Sequence, residues 1–186
     1  MDPYASKKQN LRNECVTANR DFLQNKLFLE FGVMQGHSLV DYRGAYMSNN
    51  INADFYGFDS FEGLPEYWRE GFPKGKFKVD KLPKVSQNVT LIKGWYDQTL
   101  EPFIKKNKGK ALFLHIDCDL YSSTSTIFEV FEDCIQTGTV IVFDEYFNFP
   151  EWRKEEHKAF IEFIEKKDFD YKYIGYSKYQ VAVMIT

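Results

Sequence analysis

The chain has 186 residues and a formal net charge of −3, and 44% of its residues are hydrophobic. This length predicts one domain spanning residues 1–186, and the interspersed charges give no basic face of the kind that binds nucleic acid. No apolar run reaches the roughly 20 residues needed to cross a bilayer, and the N-terminal residues contain no hydrophobic signal core. We therefore expect no membrane association and a cytoplasmic location.

Short apolar runs alternate with amphipathic segments, a pattern typical of strands and helices around a largely parallel sheet. The predicted strands cover residues 27–31, 54–58, 89–92, 111–116, 139–143, 171–175 and 180–185. Helical periodicity is clearest at residues 123–135 and 152–166. Only residues 176–179 separate the last two strands, which predicts an antiparallel hairpin. The predicted fold class is α/β: a Rossmann-like doubly wound sheet of about seven strands, mostly parallel, with an antiparallel C-terminal hairpin.

Residues 63–86 interrupt this alternation. Pro65, Pro73, Pro83, Gly71 and Gly75 prevent any long helix or strand there. Long irregular segments in compact domains are usually functional. We therefore expect this segment to border the substrate site.

A glycine turn follows the first predicted strand, with Gly32 and Gly36 ahead of a helix that starts near Ser38. Glycines let the backbone approach a ligand, and a helix N-terminus offers free amide groups. The Gly-x-x-x-Gly spacing differs from the Gly-x-Gly-x-x-Gly of dinucleotide sites and favours a cofactor without pyrophosphate. The alternative is a purely structural turn with Gly36 at a tight helix entry.

Two later strand ends carry further candidates for cofactor binding. Asp59 follows the second strand, where an acidic side chain can accept hydrogen bonds from ribose hydroxyls. The alternative role for Asp59 is to cap a helix starting at Ser60. Gly94 follows the third strand and would let an adenine ring lie against the backbone, but a simple turn explains it equally well.

Acidic residues follow the fourth and fifth strands, which are the predicted centre of the sheet: Asp117, Asp119, Asp144 and Glu145. Ligands of open α/β sheets bind beyond the carboxyl ends of the strands, so these carboxylates are expected to share one crevice. Repulsion between them calls for a cation or for shifted protonation, and oxygen ligands favour Mg²⁺ or another hard divalent ion. The alternative is helix capping by Asp119, with the remaining acids solvated.

Three other features of the sequence are weaker indicators of function. His115 is expected to be a buried strand residue rather than a metal ligand. The charged run at residues 153–158 predicts the solvated face of a helix. Trp68, Trp95 and Trp152 could line an acceptor pocket, although core packing explains each of them as well.

The sequence blocks that carry these residues resemble the macrocin O-methyltransferase family of class I methyltransferases dependent on S-adenosylmethionine, which includes sugar-modifying enzymes. The matching blocks are LEFGVMQGHSL, GFDSFEGLPEYW, LIKGWYDQTL, LHIDCDLYSST and VIVFDEYFN. They run from Leu29 to Asn148 in the order typical of the family. The chain differs in having Glu145 where a second Asp is usual and Cys118 where Gly is frequent.

The resemblance implies a role for each matching residue. The residues expected to surround S-adenosylmethionine are Glu30, Gly32, Gly36, Ser38, Asp59 and Ser60, and Gly94 and Asp117 complete the predicted cofactor set. Asp117, Asp144 and Glu145 would hold Mg²⁺, and Asp119 would be the general base. Few residues precede the first strand, so either the pocket is open or a neighbouring subunit of a homo-oligomer covers it.

These observations predict O-methylation of a small-molecule hydroxyl, for example on a sugar, with the methyl group taken from S-adenosylmethionine. One alternative is a catalytically silent methyltransferase-like binding module, which would not need four carboxylates in one crevice. The other alternative is a nicotinamide-dependent oxidoreductase, against which the missing Gly-x-Gly-x-x-Gly and the terminal hairpin both argue.

Overall fold

The computed structural model describes residues 4–22 and 26–186. Seven strands of the described residues form one sheet: β1 (Lys26–Phe31), β2 (Phe55–Asp59), β3 (Val89–Lys93), β4 (Lys110–Ile116), β5 (Val140–Phe143), β6 (Tyr171–Ser177) and β7 (Gln180–Ile185). The helices described are α1 (Ala5–Asn19), α2 (His37–Ser48), α3 (Tyr96–Lys106), α4 (Tyr121–Phe131) and α5 (Glu156–Lys167). No helix of the described residues is both long and apolar enough to cross a membrane.

The strand order is β3-β2-β1-β4-β5-β7-β6, with the first five strands parallel and β7 antiparallel to both β5 and β6. The predicted α/β sheet with an antiparallel C-terminal hairpin is therefore confirmed. The chain leaves β1 toward β2 on one side and returns through β4 on the other side. A crevice consequently opens between the carboxyl ends of β1 and β4, the usual ligand position in such sheets.

Helices cover both faces of the sheet, each over its own hydrophobic cluster. On one face α1 and α2 bury a cluster that includes Leu11, Tyr46 and Phe113. On the other face α3, α4 and α5 bury a cluster that includes Phe31, Phe131 and Phe160. Strands β4 and β5 are apolar along their length because both of their faces are covered.

Two helices differ from their predicted bounds. The helix predicted at residues 123–135 begins earlier and ends earlier, as α4. The helix predicted at residues 152–166 is split into a 3₁₀ turn at Trp152–Lys154 and α5. The break lies at Glu155, whose backbone (φ −107°, ψ −131°) lies outside the helical region. It also sets the starting point of α5, which brings Glu156 to the acidic strand ends described below.

Candidate active site

The glycine turn after β1 is shaped by close contact with the end of β4. Gly32 has φ +91°, and a Cβ at this position would lie 1.8 Å from the carbonyl oxygen of Asp117. No side chain fits at such a distance, so Gly32 is required for the two strand ends to meet. Gly36 has φ +78° and directly precedes α2, where a left-handed backbone also favours glycine.

We expect Gly32→Ala to separate the ends of β1 and β4. Overpacking combined with a side chain at positive φ should lower the free energy of unfolding by about 3 kcal/mol. Chemical denaturation measures this loss, and calorimetry should show weakened binding of S-adenosylmethionine. Gly44→Ala is the matched control, because Gly44 lies within α2 with no atom within 4 Å of an added Cβ. This control should stabilise the fold slightly, and equal behaviour of the two variants would contradict the steric argument.

Asp59 connects the end of β2 to the glycine turn. Its Oδ2 accepts hydrogen bonds from the backbone amides of Val33 (2.8 Å) and Met34 (2.7 Å), and its Oδ1 accepts one from the amide of Phe61 (2.6 Å). No helix starts at Ser60, so the alternative role as a helix cap does not apply. Asp59 therefore organises the backbone of the candidate cofactor pocket as well as facing it.

A cavity of about 380 Å³ lies at the crevice, within the size range of small-molecule sites. The predicted site residues in its lining are Gly32, Asp59, Ser60, Gly94, Asp117 and Asp119. Trp95 lines it as well. Leu64, Pro65 and Phe77 also line it, so the irregular segment at residues 63–86 borders the site as expected. The cavity is therefore formed by strand ends, one long loop and the N-terminal parts of α3 and α4.

Three predicted cofactor residues, Glu30, Gly36 and Ser38, lie outside the lining of this cavity. Glu30 is only 1% exposed, and its carboxylate accepts a hydrogen bond from Ser38 Oγ (2.9 Å) and lies 2.9 Å from His115 Nδ1. Because these contacts occupy both carboxylate oxygens, Glu30 supports neighbouring residues in the structure and does not present an oxygen to the cavity.

His115, Asp117 and Asp144 form a group that could hold a metal ion, with one potential ligand atom of each lying within 4.8 Å of the others. Glu30 Oε2 lies 2.9 Å from His115 Nδ1, so the other ring nitrogen, Nε2, faces Asp144. His115 Nε2 is buried, has no hydrogen-bond partner among the described residues, and lies 3.8 Å from Asp144 Oδ1. His115 is buried, as expected, yet its ring faces the acids.

Glu145, the third predicted metal ligand, is not part of this group. Asp144 and Glu145 both follow the end of β5 in a loop, and only Asp144 belongs to the group with His115. Glu145 lies on the side of Asp119, and each of these carboxylates is a neighbour of Asp144. The acids thus occupy two adjacent positions, one around Asp144 and one around Glu145.

Mutual repulsion and burial shift the pKa values of these acids. Burial, together with Glu145 and Asp144, raises the pKa of Asp119 to about 8, and burial with Asp144 raises the pKa of Glu145 to about 7. Burial alone would lower the pKa of His115, but the carboxylates of Asp144 and Glu30 hold it well above its usual value. A cation bound among these groups would relieve the repulsion.

Asp119 lies in a constrained position beside the cavity. Its φ of 65° is left-handed, and its side chain is almost fully buried. Non-glycine residues with such a backbone often occur at functional sites, where the surrounding structure holds them. The backbone amide of Asp119 donates a hydrogen bond to Glu156 Oε1 (3.1 Å).

Glu156 joins the two acidic loops. Besides Asp119, its Oε1 accepts a hydrogen bond from the amide of Cys118 (3.3 Å), and its Oε2 accepts one from the amide of Glu145 (3.3 Å). The prediction that residues 153–158 form a solvated face is therefore wrong at Glu156, which is 0% exposed. Glu156 is a functional candidate that the sequence pattern missed, because nothing in a charged run indicates which acid is buried against backbone amides.

The remaining tryptophans lie beside the site without lining the cavity. Trp68 is buried with Leu64 and Leu120, and packs against Phe72 and Phe149. Trp152 packs edge-to-face against His157, with ring centroids 4.7 Å apart. Core packing thus describes Trp68, Trp152 is a partly exposed residue that packs against neighbouring side chains, and Trp95 lines the cavity.

The chain is similar to a known protein family in its sequence and to solved structures in its fold. A family model described as "Methyltransferase domain" matches residues 29–146, which include the glycine turn and both acidic strand ends. No curated protein sequence matches the chain significantly.

Solved structures of similar fold include several methyltransferases. The calicheamicin methyltransferase CalS11 is similar with a TM-score of 0.77 at 19% identity, over 99% of this chain and 80% of that one. The O-methyltransferase NovP is similar with a TM-score of 0.77 at 18% identity, over 97% and 80% of the two chains. The Mg-SAM form of CmcI has a TM-score of 0.55 at 13% identity, over 94% and 71%. At these identities the likeness concerns the fold.

Proposed function

Because the chain belongs to the methyltransferase-domain family, we propose that it is a divalent-metal-assisted O-methyltransferase that uses S-adenosylmethionine. The acceptor would be a hydroxyl of a small molecule, with a sugar as the first candidate because the family it resembles includes sugar-modifying enzymes. The observation that carries the proposal is that one cavity is lined both by the glycine turn at Gly32 and by the buried carboxylate of Asp119. A site for the methyl donor and a base are thereby adjacent.

The cavity lining fits the methyl donor. Gly32 removes the side chain that would block the backbone, and Asp59, Ser60, Gly94 and Asp117 supply polar groups and backbone around the same space. S-adenosylmethionine supplies an activated methyl group on sulfur. The protein must then hold an acceptor oxygen in line with that methyl group at about 3 to 3.5 Å. Glu30, Gly36 and Ser38 act behind the lining, by fixing the start of α2 and the ring of His115.

Asp119 is proposed as the general base. It would take the proton of the acceptor hydroxyl as the oxygen forms its bond to the methyl carbon and the carbon–sulfur bond breaks. The products are a methyl ether and S-adenosylhomocysteine, and the proton passes from Asp119 to water. A sugar hydroxyl is a weak acid, so a positioned base is needed. Because the pKa of Asp119 is raised to about 8, the ionised form that acts as the base increases as the pH rises toward and above this value.

The residues present also fit a divalent ion. Two ligands that are each about 2.1 Å from one ion can lie up to about 4.2 Å apart, and His115 Nε2 is 3.8 Å from Asp144 Oδ1. The contact of Glu30 with Nδ1 resembles the carboxylate support common behind metal-bound imidazoles. We therefore propose Asp117, Asp144 and His115 as the ligands, in place of Glu145. A bound ion would lower the pKa of the acceptor hydroxyl.

The proposed function is tested by incubating the full chain with S-adenosylmethionine and a panel of sugars and phenols. We expect S-adenosylhomocysteine and a methyl ether to form with at least one hydroxyl acceptor. The chain could bind S-adenosylmethionine, turn over no acceptor and bind its ligands unchanged in the Asp119→Asn variant. This combination of results would favour the silent binding module. Tighter binding of NADH than of S-adenosylmethionine would favour the oxidoreductase.

The metal is tested separately by adding EDTA and then restoring Mg²⁺, Mn²⁺ or Zn²⁺. The imidazole widens the choice of ion, because nitrogen ligands suit transition metals better than they suit Mg²⁺. We expect EDTA to reduce turnover, and calorimetry of the metal-free chain should show one ion bound. Undiminished turnover in EDTA would remove the metal from the proposal and leave methyl transfer intact.

A further inference from the structure

Arg69 has an unusual environment beside the acidic strand ends. Its guanidinium lies over the ring of Trp68 (3.8 Å to the centroid) and near the rings of Phe72 (4.6 Å) and Phe149 (4.9 Å). Its Nε is buried and has no hydrogen-bond partner within residues 4–22 and 26–186. Among the described residues, no ion pair or side-chain hydrogen bond involves this guanidinium. Arg69 therefore keeps its donors available while its position is fixed by aromatic packing.

Arg69 lies near the acidic residues that follow β4 and β5, and it does not line the cavity. Trp68, whose ring the guanidinium covers, packs in one buried cluster with Leu120, which directly follows Asp119. Phe149, against which it packs, follows Asp144 and Glu145 on the same loop. The cavity lining includes neither Arg69 nor Glu145. The guanidinium thus lies next to the proposed base but outside the space proposed for the methyl donor.

A second cation approaches from the C-terminal hairpin. Lys178 lies in the turn between β6 and β7, with its Nζ 4.3 Å from the ring centroid of Tyr179. The ring of Tyr179 in turn meets that of Phe149, with centroids 6.5 Å apart. The backbone carbonyl of Tyr179 accepts a hydrogen bond from the amide of Tyr146 (3.0 Å), the residue after Glu145. Lys178 forms no ion pair in the part of the chain that the structure describes. The rings of Phe149 and Tyr179 therefore lie between Arg69 and Lys178.

We propose that Arg69 binds an anionic group of the acceptor, a phosphate or a carboxylate, that the acceptor ring lies against Phe149 and Tyr179, and that Lys178, on the far side of these rings, adds to the positive charge that attracts the acceptor. This inference rests on the proposed function, because it names the class of acceptor for that site. Arginine suits the role, since its planar group presents paired donors to phosphate and carboxylate oxygens.

Arg69 could instead only neutralise the charge of the neighbouring carboxylates, but this role explains its contacts with the aromatic rings less well. Buried carboxylates and arginines that neutralise each other normally form direct hydrogen bonds. Arg69 forms no such hydrogen bond with Asp119, Glu145 or Glu155 among the described residues, although its positive charge acts on all three carboxyl groups. An arginine held by aromatic rings with unused donors is instead preorganised for a ligand that arrives later.

The test measures binding of glucose 1-phosphate, glucuronate and glucose to the full chain saturated with S-adenosylhomocysteine, by calorimetry without added metal. We expect at least one of the two anions to bind about tenfold more tightly than glucose, in line with charge-assisted hydrogen bonds. The stronger of the two identifies phosphate or carboxylate. Arg69→Met should abolish this preference, Arg69→Lys should keep part of it, and Lys178→Met should reduce it.

Arg153→Met is the matched control, because Arg153 also lies over a tryptophan (4.1 Å to the Trp152 ring) but is exposed. It should leave the preference unchanged, and thermal melts should show that the Arg69 variants remain folded. Anions that bind no more tightly than glucose, or a preference that survives Arg69→Met, would overturn the inference. Failure of S-adenosylhomocysteine to bind at all would instead contradict the proposed function.

Discussion

Asp119→Asn should lower kcat by about 10²- to 10⁴-fold, the usual contribution of a general base. The amide has nearly the same shape as the carboxylate and cannot take the hydroxyl proton. Asparagine also tolerates the left-handed backbone that Asp119 adopts (φ 65°). The fold should therefore survive, and the affinity for S-adenosylmethionine measured by calorimetry should change little.

The matched control for this variant is Asp133→Asn, which changes an aspartate whose side chain is 91% exposed. We expect its kcat to equal that of the unaltered chain. Retention of kcat by Asp119→Asn would remove Asp119 from the role of base. A large loss of S-adenosylmethionine affinity with unchanged kcat would instead assign Asp119 to donor binding.

The sheet could be predicted from the sequence because its signals are local. The apolar runs of β4 and β5 are buried on both faces, and only a short turn separates β6 from β7. The approach of Asp117 to Asp144 could also be anticipated, since both residues follow neighbouring parallel strands. Periodicity and strand ends are enough to predict such features.

The details of the acidic site depend on side-chain direction, which the sequence does not report. Glu145 occupies the position of a second acid in the family pattern, yet the group that could hold a metal ion consists of His115, Asp117 and Asp144. His115 could be predicted as buried, but its orientation depends on Glu30, 85 positions away along the chain. Such pairings arise only from the register between β1 and β4, where Glu30 lies opposite His115.

Glu156 shows the same limitation most clearly. In the sequence it is one acid within a run of charged residues, and the preceding Glu155 is partly exposed. Its burial results from three backbone amides that belong to two loops, 38, 37 and 11 residues away. Backbone amides carry no sequence signature, so only the folded chain identifies this contact.

Glu156→Ala should therefore have the second large effect. It would leave the amides of Cys118, Asp119 and Glu145 without a partner in a buried region, at a cost of about 1–3 kcal/mol for each unsatisfied group. We expect the free energy of unfolding to fall by about 3 kcal/mol or more, as measured by chemical denaturation. Glu165→Ala, on an exposed position of the same helix, is the control and should have little effect.

Glu156→Gln separates a positioning role from a purely structural one. The amide oxygen of glutamine can still accept hydrogen bonds from Cys118 and Asp119, but its NH₂ group would face the amide donor of Glu145 and repel it. The loop after β4 should keep its place while the loop after β5 moves. Well below the melting temperature, we expect a lower kcat with an unchanged affinity for S-adenosylmethionine. Normal kcat in the folded Gln variant would show that Glu156 stabilises the fold without setting the geometry of the acids.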